Sequence, residues 1–217
     1  MQILKKLALL LLVLTASGCG KLPAQKTVDV PFTSQAPNGD WSEPWQNACE
    51  ETSIYMVSSF YKDDEIKRTE AVKQIKEILA VKNTEIKVSH DESLETISDL
   101  IVKLDLPFRT KIVFDPTVDD LKKELVSNNP VIIPVFAPAL GTSVDGPDYH
   151  VMVLVGYDDK SGEFIVNDPG TSAGKGLHYK YDKFMNAIHD LDQTKYTNGK
   201  KAVLFTEVKN FATFFTF

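Results

Sequence analysis

Cysteine, basic clusters and long apolar runs are all scarce in this chain of 217 residues. It has two cysteines, no concentration of lysine and arginine, and no apolar stretch after residue 20 long enough to cross a membrane. With a net charge of −6, the lack of a basic cluster argues against a nucleic-acid partner. The hydrophobic content of 43% and charged content of 25% are those of an ordinary globular domain.

The first twenty residues have the layout of an export signal. Two lysines precede a short apolar run, and small residues then lead to Cys19. This arrangement resembles the bacterial lipoprotein signal, in which the cysteine is lipidated and becomes the new N-terminus; a plain secretory signal is the alternative. We predict an export signal over 1–18, a tether over 19–29 and a single domain over 30–217. The protein is then at the cell surface, with a lipid on Cys19 as its membrane anchor, or secreted.

Cys49 is the cysteine that remains available after export, and it has no intramolecular partner. Exported proteins usually pair their cysteines, so a single thiol is intermolecular, buried and inert, or reactive. Cys49 opens the helical stretch CEETSIYMV, where backbone N–H groups and the helix dipole favour the thiolate. This position favours a reactive thiol. Glu50 and Glu51 suit a first helical turn, and we expect both to point away from Cys49, because their charge opposes its ionisation.

The predicted elements are helices first and strands second. Apolar spacings of three and four predict a helix from Cys49, helices over 64–81 and 91–104, and another that opens at Asp115. The second half of the chain carries β-branched and aromatic runs typical of strands, interrupted by a short helix over about 182–189. The C-terminal NFATFFTF predicts a closing strand. This order indicates an α+β fold in which N-terminal helices pack on a mainly antiparallel C-terminal sheet.

A thiol nucleophile needs a histidine within hydrogen-bond reach, and four histidines are available. His90 and His189 lie near predicted helix ends and are expected at the surface, whereas His178 fits the polar position of a strand. His150 opens the run HVMVLVG, which is apolar on both faces and therefore predicts a central strand. A polar ring at the end of such a strand indicates a partner. His150 is the candidate base, and a structural histidine is the alternative.

The partner of His150 is predicted in the next strand, EFIVNDPG, which follows a hairpin-type connection. If the hairpin closes near Asp159, His150 falls opposite Asp168 or close to it. An even sum of paired residue numbers places Asp168 on the face of His150, and an odd sum places Asn167 there instead. Both residues stay candidates, and NDPG as an ordinary turn is the third possibility.

Together, VPFTSQAPNGDW, CEETSIYMV, HVMVLVGY and FIVNDP resemble the exported relatives of the bacteriocin-leader (double-glycine) peptidases. These belong to the papain-like cysteine peptidase superfamily, and the resemblance covers most of residues 28–182 in order. It implies a papain-like cysteine peptidase fold. It also implies Cys49 as nucleophile, His150 as general base and acid, and Asp168 as the orienting residue. This chemistry needs no metal and no organic cofactor.

The resemblance further implies a glutamine that donates to the oxyanion, where charge develops only on the way to the transition state. Gln35 matches that position best, and Gln46, three residues before Cys49, is the local rival. Glu50 departs from the family, which usually has glycine after the nucleophile. The departure leaves open a narrower site, a different substrate choice, or a member that binds without cutting.

The sequence therefore predicts an exported thiol hydrolase that cleaves peptide or related amide bonds through an acyl-enzyme on Cys49. Its expected partner is a peptide or protein substrate, cell-wall peptide included. A catalytically silent papain-like module that binds peptide or cell wall is the main alternative, supported by Glu50 and opposed by the intact Cys/His/Asp set. Acyl transfer to an amine is a third reading of the same chemistry.

Overall fold

The computed structural model describes residues 21–87, 91–141 and 148–209. Its helices are α1 (Cys49–Lys62), α2 (Arg68–Val81), α3 (Leu94–Lys103), α4 (Val118–Val126), α5 (Ala137–Leu140) and α6 (Tyr181–Ala187). Short 3-10 turns cover Trp45–Asn47 and Tyr196–Asn198, and a π-helical turn, Lys82–Ile86, continues from α2. The predicted export signal, Cys19, His90 and the predicted closing strand lie outside the described residues.

The strands are β1 (Gln25–Thr27), β2 (Phe108–Phe114), β3 (Val131–Phe136), β4 (Tyr149–Asp158), β5 (Glu163–Asn167), β6 (Leu177–Lys180) and β7 (Ala202–Val208). They form a sheet in the order β2-β7-β3-β4-β5-β6, with β1 paired to β4. These pairings are all antiparallel, which confirms the predicted α+β fold. None of the helices within the described ranges has the length and apolar content needed to cross a membrane.

β4 is the central strand that its sequence predicts. It lies between β3 and β5, and every residue from Tyr149 to Tyr157 is buried. A strand that is covered on both faces needs apolar side chains on both, which explains the unbroken run HVMVLV. α1 packs against this strand, where Ser53 Oγ donates a hydrogen bond to the Val151 carbonyl oxygen at 3.3 Å.

α1 is buried along most of its length, polar residues included. All residues from Cys49 to Ser59 are buried, so their polar groups must be satisfied inside the protein. Thr52 does so locally, because its Oγ1 donates to the Ala48 carbonyl oxygen at 2.6 Å. The helix ends at Asp63, whose φ of 57° is left-handed and whose N–H donates to the Phe60 carbonyl oxygen. The helix is consequently an internal element that packs against the sheet.

Two strands lie where the sequence reading placed none. β2 follows α3 and pairs along its whole length with β7, far away in the chain. β1 falls inside the predicted tether, where Gln25–Thr27 pair with Gly156–Asp158 beyond the end of β3. Tyr157 Oη also donates to the Pro23 carbonyl oxygen at 2.6 Å. The predicted tether thus differs from the structure, in which residues 23–29 are part of the fold.

Candidate active site

Cys49 is the first residue of α1, as its sequence context predicts. The 3-10 turn Trp45–Asn47 leads into the helix, and Ala48 is its N-cap. The thiol is free of disulfides and is only 3% exposed. The backbone of Val151, the residue after His150, donates a hydrogen bond to the Cys49 sulfur. The helix start therefore places the sulfur beside the first residues of β4.

His150 and Asp168 form a buried pair at one end of the sheet. The β4–β5 register pairs Val153 with Asn167, an even sum, so Asp168 falls on the face of His150. His150 Nε2 lies 2.6 Å from Asp168 Oδ1. Burial raises the pKa of Asp168, but the hydrogen bond and charge of His150 outweigh it and hold that pKa below its ordinary value. Since the ionised carboxylate only accepts, Nε2 carries the hydrogen and Nδ1 is left to accept a proton.

Asn167, the competing candidate, faces away from His150 and has a structural role. Its Nδ2 donates to the Val30 carbonyl oxygen at 3.0 Å, and its Oδ1 accepts from the Gly176 N–H at 3.1 Å. The side chain thereby ties the N-terminal segment to the β5–β6 connection. The irregularity in the β4–β5 pairing lies at Val155, between the pairs made by Leu154 and Gly156, and not in the hairpin turn.

Gln35 and Gln46 differ in burial and in partners. Gln35 is buried, and its Nε2 donates to the carbonyl oxygens of Trp45 and Gln46, both at 2.9 Å. Its Oε1 is buried without a hydrogen-bond partner among the described residues. Gln46 is exposed, and its Nε2 donates to Glu43 Oε1 at 2.7 Å. Gln35 is thus the glutamine held inside the protein, at the turn that leads to Cys49.

Glu50 points toward Cys49, so the expectation that it points away is wrong. The Cys49 Sγ donates to Glu50 Oε2 at 3.0 Å, and Glu50 is completely buried. Burial raises the pKa of the Cys49 thiol well above its ordinary value, and the charge and hydrogen bond of Glu50 raise it further. The Val151 hydrogen bond offsets only part of this. Burial and Glu50 therefore outweigh the expected stabilisation of a thiolate by the helix start.

Behind Glu50 lies a buried cluster of charged residues that sequence reasoning missed. Lys82 Nζ lies 2.5 Å from both Glu51 Oε1 and Glu92 Oε1, and all three side chains are at most 2% exposed. Glu50 joins the cluster because its Oε1 accepts from the Glu92 backbone N–H at 3.1 Å. Local sequence carries no signal for this cluster, since glutamates in a first helical turn are normally explained by the helix dipole.

The acidic cluster is also where the described residues come closest to a metal-binding arrangement. Carboxylate oxygens of Glu50, Glu51 and Glu92 lie within 4.8 Å of one another. The ammonium of Lys82 already lies 2.5 Å from two of these carboxylates and supplies the positive charge that a metal ion would bring. This donor set therefore fits an internal ion-pair network better than a metal site.

The two other described histidines lie elsewhere. His178 Nδ1 lies 3.2 Å from Glu163 Oε2 on the exposed side of β6, at the polar strand position that was predicted. His189 Nδ1 lies 3.1 Å from the Gly199 carbonyl oxygen. Of the histidines in the described ranges, His150 is the one on β4, the strand against which α1 packs.

Residues 27–200 match the sequence model of the Peptidase_C39 like family. The chain belongs to this family. Two solved structures share the C39-like fold with it. One, described as a C39-like peptidase from Bacillus anthracis, has a TM-score of 0.56 and 16% identity, covering 85% of this chain and 98% of its own. The other, xylellain, a cysteine protease from Xylella fastidiosa, has a TM-score of 0.52 and 11% identity, covering 87% of each chain. No curated protein sequence gives a significant match.

The family match agrees with the resemblance that the sequence motifs indicate. Its span covers the motifs around Cys49, His150 and Asp168. The C39-like, papain-like fold is thereby established for this chain. Glu50, immediately after the candidate nucleophile, remains the departure that calls for a physical explanation.

Proposed function

We propose that the protein is an exported cysteine peptidase that uses Cys49 as nucleophile, His150 as base and acid, and Asp168 to orient His150. The observation that carries this proposal is the buried 2.6 Å contact between His150 Nε2 and Asp168 Oδ1. This contact leaves Nδ1 of a neutral imidazole as the proton acceptor, on the strand against which the thiol-bearing helix packs. Membership of the C39-like family supports the reaction class.

In the proposed reaction, His150 Nδ1 takes the thiol proton while Sγ bonds to the carbonyl carbon of the substrate. The carbonyl oxygen becomes an oxyanion, which then collapses, breaks the C–N bond and leaves a thioester on Cys49. The imidazolium of His150 gives its proton to the departing amine. Water then attacks the thioester, with His150 as base, and releases the acid product and the thiol.

Two donors are proposed for the oxyanion. The backbone N–H of Cys49 is among the first of α1, which have no acceptor within the helix. Gln35 Nε2 is the second, and both of its hydrogens are directed at the Trp45 and Gln46 carbonyl oxygens. One of these two bonds has to be exchanged for the oxyanion. Such a donor contributes most when its new partner is charged, as in the transition state.

The proposed substrate is a peptide or protein outside the cytoplasm, and peptide in the cell wall belongs to that class. The signal-like segment 1–18 and a lipid on Cys19 are the basis for export and anchoring. No metal or organic cofactor takes part in the steps above. Acyl transfer would use the same thioester, with an amine in place of water as the final acceptor.

Cys49→Ala is expected to abolish cleavage, because no thioester forms without the sulfur. We would incubate wild type and variant with a mixed peptide library and with purified cell-wall peptide, and identify products by mass spectrometry. Circular dichroism would verify that the variant is folded. Binding without cleavage by the wild-type protein would instead support the silent module, and equal cleavage by both proteins would refute Cys49 as nucleophile.

Gly170→Ala is expected to reduce kcat/KM about 10- to 100-fold, because the added methyl displaces the His150–Asp168 pair. A Cβ at Gly170 would lie 2.9 Å from His150 Cε1 and 3.1 Å from Asp168 Oδ1. Gly162→Ala is the matched control: it meets no atom within 4 Å, and its φ of 67° costs stability but not site geometry. Equal losses of activity in the two variants would contradict this assignment.

A further inference from the structure

The Glu50 carboxylate lies between the candidate nucleophile and the buried charged cluster. Its Oε2 accepts the Cys49 thiol at 3.0 Å, and its Oε1 accepts the Glu92 backbone N–H at 3.1 Å. Both carboxylate oxygens are therefore fixed, and Glu50 is completely buried. A side chain held at both ends cannot turn away from the sulfur without losing a buried hydrogen bond.

The direction of the thiol hydrogen bond has a chemical consequence. A thiol donates to a carboxylate, whereas a thiolate has no hydrogen to donate and would face a second negative charge 3.0 Å away. In a site where both groups are shielded from water, this repulsion is strong. The hydrogen bond is therefore the one that a protonated Cys49 makes with an ionised Glu50.

We propose that Glu50 is a positioning residue that holds the Cys49 thiol protonated at rest, so that the proton leaves only as the sulfur attacks the substrate. The thiol hydrogen then turns from Glu50 Oε2 to His150 Nδ1 by rotation about the Cβ–Sγ bond. This role rests on the proposed function, since it assigns His150 as the acceptor of that proton. It differs from a nucleophile stored as a thiolate–imidazolium pair.

The charges around Glu50 agree with this role. Glu51 lies on the same helix, Lys82 on the π-helical turn, Asp91 and Glu92 on the segment before α3, and Tyr149 on β4. Burial raises the pKa of Glu50 to about 7, the charge of Glu51 adds to this rise, and the Cys49 hydrogen bond and Lys82 oppose it. The carboxylate therefore gains its charge around neutral pH and opposes a negative charge on Cys49 more strongly as the pH rises further.

A protonated thiol also suits an exported protein with a single available cysteine. The thiolate, not the thiol, attacks disulfides and is oxidised fastest. Compartments outside the cytoplasm are oxidising, so a stored thiolate there is exposed to unwanted disulfide formation. Keeping the proton on Cys49 until substrate arrives limits this side reaction.

Glu50→Gln tests the proposal, because glutamine keeps the shape and an acceptor oxygen but removes the charge. We would titrate the ultraviolet absorbance of the thiolate from about pH 5 to about pH 10, with Cys49→Ala as blank, and measure iodoacetamide alkylation over the same range. Glu95→Gln is the matched control, since Glu95 also lies in the first turn of a helix, α3, but is exposed.

Wild type and Glu95→Gln are expected to form thiolate only above the ordinary thiol pKa of about 8.5. Glu50→Gln is expected to form it at least about one pH unit lower and to be alkylated about 10-fold faster at neutral pH. The proposal is overturned if Cys49 in Glu50→Gln titrates as it does in the wild type. It is also overturned if the wild-type thiolate is already present below about pH 7.

A wild-type measurement keeps the proposal testable if Glu50→Gln does not fold. Inactivation by iodoacetamide in D₂O should be about two-fold or more slower than in water when the proton leaves during attack, and unchanged when a thiolate is stored. If the proposed function itself is wrong, His150→Ala stays active. If only the role of Glu50 is wrong, His150→Ala is still inactive. The wild-type Cys49 then already forms a thiolate at low pH.

Discussion

Replacing His150 with alanine is expected to lower kcat/KM for peptide cleavage about 1,000-fold or more. The thiol is held protonated by burial and by Glu50, so it depends on a base to lose its proton during attack. Within the described residues, His150 is the histidine on β4, against which α1 packs, and the Asp168 carboxylate fixes its orientation. The effect should fall on kcat, because the base acts in the transition state and not in substrate binding.

His178→Ala is the control for this variant, because His178 is an exposed histidine on β6 paired with Glu163. It should leave kcat/KM unchanged. A residual activity in His150→Ala equal to that of His178→Ala would show that another group takes the thiol proton, and Glu50 would then be the first candidate.

Substitutions at Asp168 separate orientation from charge. Asp168→Asn should cost about 10- to 100-fold, because an amide oxygen still accepts from His150 Nε2 while the negative charge that stabilises the imidazolium is lost. The Gly170 N–H donates to Asp168 Oδ1 at 2.8 Å and would hold the amide oxygen on that side. Asp168→Ala should cost more, since the ring is then free to turn. Equal losses would indicate that charge alone matters.

The His150–Asp168 pair could be predicted because its geometry depends on strand parity. The apolar run of β4 places it inside the sheet, and the hairpin to β5 limits the register to a few choices. Within those choices, sequence left Asp168 and Asn167 equal. The bulge at Val155 decides the register. Gly156, an isolated glycine in an otherwise apolar strand, is the sequence signal that marks this position.

The orientation of Glu50 could not be predicted, because it depends on residues from distant parts of the chain. From the local sequence, Glu50 is explained by the helix dipole and is expected to avoid Cys49. Both considerations predict a side chain that points away from the thiol. The charge of Lys82 and the Glu92 backbone N–H instead draw it inward. β1 and β2 escaped prediction for a related reason, since their pairing partners, β4 and β7, lie about a hundred residues further along the chain or more.

Lys82→Met is expected to lower the free energy of unfolding by about 3–5 kcal/mol at neutral pH, because it leaves the buried Glu51 and Glu92 carboxyl groups without the ammonium that contacts both. Lys82 Nζ lies 2.5 Å from both Glu51 and Glu92, and the three side chains are shielded from water. Methionine matches the length of the lysine stem, so the loss comes from charge and not from packing. Urea unfolding followed by circular dichroism would measure it.

Lys73→Met is the matched control for Lys82→Met. Lys73 also contacts two glutamates, Glu70 at 3.6 Å and Glu77 at 3.9 Å, but these ion pairs are exposed on α2. Exposed pairs of this kind contribute about 0–1 kcal/mol, so this variant should unfold nearly as the wild type does. Similar losses in the two variants would mean that the buried pairs are worth no more than the exposed ones.

The pH dependence of the Lys82→Met deficit identifies its origin. Burial raises the pKa of Glu92 from 4.5 to about 10, and the charges of Glu50 and Glu51 add to that rise. The folded state therefore binds a proton that the unfolded state releases between these values, and this contribution to stability falls as pH rises. Without Lys82 the carboxyl of Glu51 must also take up a proton on folding. This proton uptake costs little free energy at a pH near the unfolded-state pKa of Glu51 and much more at a pH far above it. The deficit should accordingly be smaller at about pH 5 than at about pH 8; a deficit independent of pH would place its origin in packing around the π-helical turn and not in charge.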